Sequence, residues 1–402
     1  MHARPRLRLL AAGACVVVCL STHPRAGAAQ VPNVRVSGRL QLQYRLSSGD
    51  SSGAYDPAAV DNQFLVRRLR IQTDVRFGDN MLLVIAPSFE MGSLRMRDAY
   101  LRVGLAPRFG LTMGQEKSPF QRYELTSSNT LPSIERGVVI SGLSLQQEAM
   151  GNLVIANGYG SHDLGAFLDY ATPGNRFAIK AGVQGGSRES TRDVNNAKSF
   201  FGRATAILLT NADDQPVLQI GASFAARDRA ICNPGPSSCT SSASTAKAFF
   251  VDSSKMTTAV GLDLEWGGFR PGPHVIADFV LGDNVPVARR VNAPTLNTAN
   301  LLNSADSNVV RFASLHAVGA YRIVTGGSDT RIVKLLEPAL RVDVTNANTD
   351  DSGDSAYLIT PALSVFFANT VILRAGFDYY SYVRGGERLS AQQFILSWQA
   401  NF

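Results

Sequence analysis

Gln392-Gln393-Phe394-Ile395-Leu396-Ser397-Trp398-Gln399-Ala400-Asn401-Phe402 closes the chain. Phe394, Leu396, Trp398 and Phe402 fall on one side, and Gln393, Ser397, Gln399 and Asn401 on the other. A period of two over this length predicts a strand with one apolar and one polar face. Trp and Phe at a water-exposed chain end would be costly apolar surface. In a bilayer they are at home, and the stretch looks like the C-terminal strand, with an aromatic last residue, that outer-membrane assembly recognises. The barrel assembly machinery, acting through Phe402, and outer-membrane lipid are therefore expected partners.

The same period governs the start of the chain. Val34, Val36, Gly38, Leu40, Leu42, Tyr44 and Leu46 oppose Arg35, Ser37, Arg39, Gln41, Gln43 and Arg45. Next, Leu65, Leu69, Ile71, Val75 and Phe77 alternate with Val66, Arg68, Arg70, Gln72, Asp74 and Arg76, and Arg67 interrupts the apolar face near one end. Alternation predicts strands near 33–46, 62–77, 81–90, 95–105, 107–115, 136–147, 151–158, 163–171, 174–185, 199–209, 216–226, 256–266, 269–281, 309–324, 331–344, 356–367, 369–381 and 389–402. Strands of about 9–14 residues exceed the usual 5–6 of soluble sheets and match what a tilted strand needs to cross a bilayer. Tight links such as Gly78-Asp79-Asn80 and Thr172-Pro173-Gly174-Asn175 contrast with long polar ones at 47–61, 116–135, 186–198, 227–255, 282–308 and 345–355. Short turns at one rim and long loops at the other are the habit of outer-membrane barrels. The expected fold is an all-β, transmembrane antiparallel barrel of 16 strands, or 18 if every candidate is real.

The first residues place this barrel. Arg4, Arg6 and Arg8 precede a short apolar core from Leu9 to Leu20, and Ala26-Gly27-Ala28 supplies small residues for cleavage. About 12 apolar residues are too few for a membrane helix, so residues 1–28 read as a signal peptide and 29–402 as the barrel domain. The expected location is the outer membrane of a Gram-negative bacterium. The formal charge of +7 on 402 residues shrinks once those 28, with four arginines and no acid, are set aside. What remains is 35 basic against 32 acidic residues, so nucleic acid is not an expected partner. Cys232 and Cys239, in the turn-rich run Cys-Asn-Pro-Gly-Pro-Ser-Ser-Cys, read as a local disulfide of an exported chain, not as metal ligands.

In a membrane barrel the polar face lines the lumen. Arg35, Arg39, Arg45, Arg68, Arg70 and Arg76 then face it from the first two strands, with Arg176, Lys180 and Arg203 further along. Rings of Arg or Lys favour anions, and a guanidinium fork suits phosphate or carboxylate oxygens. The bland alternative is that these bases pair with acids such as Asp74, Asp98, Glu337, Asp343 and Asp378 and fill a polar interior. Asp74 is the sole carboxylate in the first two strands, which leaves their arginines in excess there.

Gly114-Gln115-Glu116-Lys117-Ser118-Pro119-Phe120, continuing through Tyr123-Glu124-Leu125-Thr126-Ser127-Ser128 to Ile134-Glu135-Arg136, resembles the phosphate-selective porin O and P family. Arg67-Arg68-Leu69-Arg70 and Asp98-Ala99-Tyr100-Leu101 fit its N-terminal pattern. The resemblance covers about residues 33–140. It implies a 16-stranded homotrimeric channel with an inward-folded constriction loop at 116–135, from which Lys117, Arg122 and Arg136 would face the passage. Small anions such as phosphate are the implied solutes. Only six lysines accompany 33 arginines, so a generic anion-preferring pore fits as well as a phosphate-selective one. No cofactor is expected. His162, His274 and His316 stand in no catalytic motif, which argues against an enzyme. A structural or adhesive barrel with a plugged lumen is the remaining rival.

Overall fold

The computed structural model describes residues 31–50, 61–141, 149–186, 189, 198–227, 256–284, 310–325, 332–351, 353, 355–367, 370–384 and 387–402. Cys232, Cys239 and the leader lie outside the described residues. Sixteen strands form one closed antiparallel barrel. They are β1 (Asn33–Gly49), β2 (Asn62–Phe77), β3 (Met81–Glu90), β4 (Ser93–Ala106), β5 (Phe109–Lys117), β6 (His162–Ala171), β7 (Phe177–Gln184) and β8 (Ser199–Thr210). The second half comprises β9 (Pro216–Arg227), β10 (Thr257–Trp266), β11 (Gly272–Asn284), β12 (Val310–Val324), β13 (Leu335–Asn346), β14 (Ser355–Phe366), β15 (Val371–Arg384) and β16 (Glu387–Asn401). Each pairs with its sequence neighbours, and β1 pairs with β16 to close the ring, Arg39 opposite Asn401 and Gly49 opposite Ala391.

Alternation is realised as written. Arg39, Gln41, Gln43 and Arg45 are buried inside, whereas Leu42 and Leu46 face outward. Exposed aromatics gather near both strand ends: Phe77, Phe109, Phe177, Trp266, Tyr321, Trp398 and Phe402 toward the short-turn rim, Phe64, Phe89, Phe200 and Phe224 toward the other. Two such girdles are what the membrane interfaces select. At the seam, Gly38 and Phe402 exchange both backbone hydrogen bonds, at 2.8 and 3.0 Å. The Phe402 ring lies over Gly38, where a Cβ would meet Cε2 at 2.6 Å. Residues 78–80, 107–108, 172–176, 211–215 and 267–271 link strands at the short-turn rim. The opposite rim has a tight link of its own at Met91-Gly92, whose φ of 47° and 83° suit a two-residue hairpin.

Two expected strands are not strands. Residues 151–158 instead supply most of helix α2 (Met150–Ala156), which buries Met150, Leu153 and Val154 and ends at Gly158, where φ is +78°. A short apolar run fits either period, and the helical spacing of those three residues prevails. The described part of 136–147 is irregular chain inside the barrel. Its Val138 and Ile140 pack on the inward Leu358, Tyr380 and Tyr382 rather than facing lipid. Removing these two leaves 16 strands, and everything between β5 and β6, residues 118–161, becomes one long connection.

Of the places where register shifts, two bring an arginine inward. Between β1 and β2, Gln41 pairs with Arg68 and Leu42 with Val66, so Arg67 is an extra residue. Between β3 and β4, Ala86 pairs with Asp98 and Pro87 with Met96, so Arg97 is another. Each bulge adds an arginine to the inner face, because the extra residue re-aims its side chain.

Candidate functional site

The described residues of the connection after β5, 118–141 and 149–161, pack against inward-facing residues of the barrel wall. Ser118 Oγ donates to Gln184 Oε1 at 2.7 Å and to the Ser161 carbonyl at 2.8 Å, tying the entry to β7 and to the segment's own exit. Gln121 adopts φ 61°, and the single-turn helix α1 (Arg122–Leu125) follows. Phe120, Tyr123, Leu131, Met150, Leu153, Val154 and Tyr159 form an apolar core inside the barrel with Phe201, Ile276, Val280 and Phe312 of its wall. Lumen glycines make room for it: a Cβ on Gly376 would meet Ile134 Cδ1 at 2.9 Å.

Polar contacts place the segment against β9–β16 and β1–β2. The Gln121 and Arg122 amides donate to Ser223 Oγ and Asp278 Oδ1, both at 3.1 Å. The Tyr123 ring lies 3.8 Å from that of His316, which pairs with Asp343 at 2.5 Å. Arg341 donates to the Glu135 carbonyl at 3.0 Å and the Arg136 carbonyl at 2.5 Å. Arg374 reaches the Asn129 carbonyl at 2.6 Å, and Gln393 the Val139 carbonyl at 3.1 Å. Burial pushes the Tyr123 hydroxyl up to about 12, so it remains a donor, to the Glu135 carbonyl at 3.2 Å.

Glu135 is the strongest anchor. Arg67 holds it with two bonds, at 2.6 and 2.9 Å, while Arg45 and Arg68 each approach to 3.3 Å and Gln43 donates at 3.0 Å. Burial alone would push this carboxyl up, but the three guanidiniums hold it well below the usual range. Arg68 and Arg70 also lie 4.0 and 3.7 Å from Glu90 on β3. The arginines of the first two strands are thus partly neutralised by Glu90 and Glu135. Sequence reasoning missed both acids, because one is on a third strand and the other on a segment far along the chain.

The other expected site residues divide by place. Arg39 donates to Ser127 Oγ at 3.3 Å, lies directly opposite Arg70 and leaves its Nε unpartnered. Arg203 is buried with Asp263 at 2.8 Å and Ser223 at 2.8 Å. Lys180 bonds Glu116 at 2.5 Å and Lys117 bonds Glu124 at 2.9 Å. Arg122 pairs with Glu265, and Arg136 donates to the Thr126 carbonyl. Arg35 and Arg76 are exposed near the short-turn ends of β1 and β2. Arg176 precedes β7 in the rim and pairs with Asp214 of the next turn at 3.2 Å, so it does not share a strand face with Lys180.

One wall therefore stays uncovered. His316, Glu337, Arg341, Ser364, Arg374, Gln393 and Gln399 of β12–β16 are sealed. Gln72, Asp98, Tyr100, Asp169 and Lys180, on β2, β4, β6 and β7, keep part of their surface open. They border a cavity of about 380 Å³ between the wall and Pro119 and Leu125 of the inner segment. The bulge arginine Arg97 is set into this wall, its carbonyl accepting from Gln115 at 3.1 Å, with Glu189 at 2.6 Å. Gly114, at φ +129°, packs where a Cβ would lie 2.6 Å from Tyr100 Cα.

A closed 16-stranded barrel with lipid-facing girdles and a polar lumen defines the class: an outer-membrane porin. Residues 34–232 match the family model described as phosphate-selective porin O and P, and over that stretch the chain is a member of the family. Its place is the Gram-negative outer membrane, and it is a channel rather than an enzyme. Among solved structures it is similar to the outer membrane channel DcaP of Acinetobacter baumannii, at 13% identity and TM-score 0.58, covering 94% of this chain and 98% of that one. An anion-selective porin from Comamonas acidovorans aligns at 11% identity and TM-score 0.55, over 92% of this chain and 100% of that one. A loop-deletion mutant of OmpT of Vibrio cholerae aligns at 12% and 0.53, over 92% and 99%. No curated protein matches the sequence.

Proposed function

We propose that this porin is a passive, water-filled channel that prefers small anions, phosphate and other oxyanions among them, and that solutes pass along the β2–β8 wall. The observation that carries the preference is an asymmetry within three lysine and arginine pairs there: the base is more open than its acid, whereas in the His162–Asp98 pair the acid is the more open. Lys180 is 30% exposed against 10% for Glu116, Lys117 20% against 0% for Glu124, and Arg102 43% against 22% for Asp169. A solute in the water-filled passage meets the cationic ends first, and low-dielectric walls focus their field. In this reading the segment 118–161 narrows the passage, the active form is a homotrimer as the family likeness implies, and residues 1–28 are removed on export. Cys232 and Cys239 are then joined, and non-reducing mass mapping should find one peptide-linked pair and no free thiols.

The test is the zero-current potential of purified channels under a potassium chloride gradient. It should favour chloride at low salt and weaken toward 1 M, where the Debye length falls to about 3 Å. Replacing Arg70 and Arg97 by Gln should reduce it. Arg68→Gln should act mainly through the inner segment, because Arg68 is spent on Glu135 and Gln41. A potential favouring potassium in the native channel would overturn the reading.

A further inference from the structure

The charges around the β2–β8 cavity pair off with one remainder. Lys117 is held by Glu124, Lys180 by Glu116, Arg203 by Asp263 and Arg102 by Asp169. Asp98 has only His162, at 3.6 Å, and among the described residues no lysine or arginine nitrogen lies within 4.0 Å of it. A second acceptor faces the same space. Glu116 is buried, and its Oε1 has no hydrogen-bond partner because Lys180 takes Oε2. Tyr100 lines the cavity on the same strand face as Asp98. A carboxylate with no lysine or arginine in direct contact, an orphaned buried carboxylate oxygen and an aromatic ring together suit a compact cation with several donors.

Arg70 is close above. Ser88 pairs with Arg70 on one side and Arg95 on the other, and Ala86, two residues lower on β3, pairs with Asp98. That step is about 7 Å along the strand, and β3 between them sets the two backbones about 10 Å apart across the sheet, so the long Arg70 side chain must bring its charge within reach of a solute held at Asp98. Resting on the channel reading above, we propose that Asp98 and Glu116 form an ammonium-binding step below the arginines. The channel then selects amphoteric solutes, whose carboxylate or phosphate tracks Arg70 while the ammonium engages Asp98 and Glu116 Oε1.

Proteoliposome swelling separates this step from simple conduction, with 5-aminopentanoate, whose two charges lie about 6 Å apart when extended, as the amphoteric probe and glycerol as a small uncharged one. Both are net neutral, so no diffusion potential intervenes. The 5-aminopentanoate rate normalised to glycerol in the same vesicles should fall about threefold in Asp98→Asn, the size of a partly exposed ion pair. Glu116→Gln should lower it as well, which guards against a local defect of either variant. An unchanged ratio in both variants, with glycerol still entering, overturns the ammonium step and leaves the channel standing. Absence of glycerol entry through the native protein removes the channel reading and this step together.

Discussion

At the scale of single residues, the account rests on Glu135. Three guanidiniums converge on a carboxylate carried by the inner segment, and removing one partner of a buried ion cluster costs about 3–5 kcal/mol. Glu135→Gln should loosen segment 118–161 from β1–β2, read as new proteolytic cleavage within it and a larger, noisier conductance; cleavage and current like those of the native protein would refute the anchor. The pH dependence follows from the depressed carboxyl. A group whose folded value lies below its unfolded one stabilises above the unfolded value, about 4.3 for Glu, and loses that contribution as pH falls through the folded one. Channel current should therefore be steady at pH 5 and above, with loosening only below about pH 4. Loosening between pH 6 and 5 would assign the anchor to another group.

At the scale of elements, the fold was legible because strand alternation is local: each of the sixteen strands shows its two faces in its own residues. The seam tests that reading. Gly38→Val would force a side chain into the Phe402 ring, and overpacking of this kind costs about 1–3 kcal/mol. The folded band should convert to the unfolded one at a lower temperature on unheated-versus-heated gels, and Phe402→Ala in the same chain should relieve part of the loss; equal melting of Gly38→Val and native protein would sink the seam argument. What was not legible came from pairings between distant parts of the chain. Val138 and Ile140 read as lipid-facing strand positions, but apolar residues serve a lumen core as well when an inner segment exists to bury. The inward turn of Arg67 showed only as a break in alternation, and Arg97 gave no sign at all, because a bulge is a property of two strands. The motif residues Lys117 to Phe120 marked the right place for the site. Their partners Gln184, Glu124 and the inner wall were beyond any spacing rule.

At the scale of the whole molecule, the barrel is divided lengthwise. In the proposed reading the inner segment seals β9–β16 and is anchored to β1–β2, and solutes pass beside β2–β8, where Lys180 and Arg102 are more open than their acids. On that reading a chain with nearly balanced charge presents a cationic path because its basic residues are sorted into anchors, such as Arg45, Arg67 and Arg341, and open bases, such as Lys180 and Arg102. The most direct test introduces one reactive thiol on each wall and records current in planar bilayers while a negatively charged thiosulfonate is added. Gln72→Cys lies beside the cavity, and Ser364→Cys lies on the sealed wall. Current through Gln72→Cys channels should fall within seconds to minutes of addition, and current through Ser364→Cys channels should not change. Equal block at both positions, block at Ser364→Cys alone, or native protein that carries no current would contradict a channel running along β2–β8.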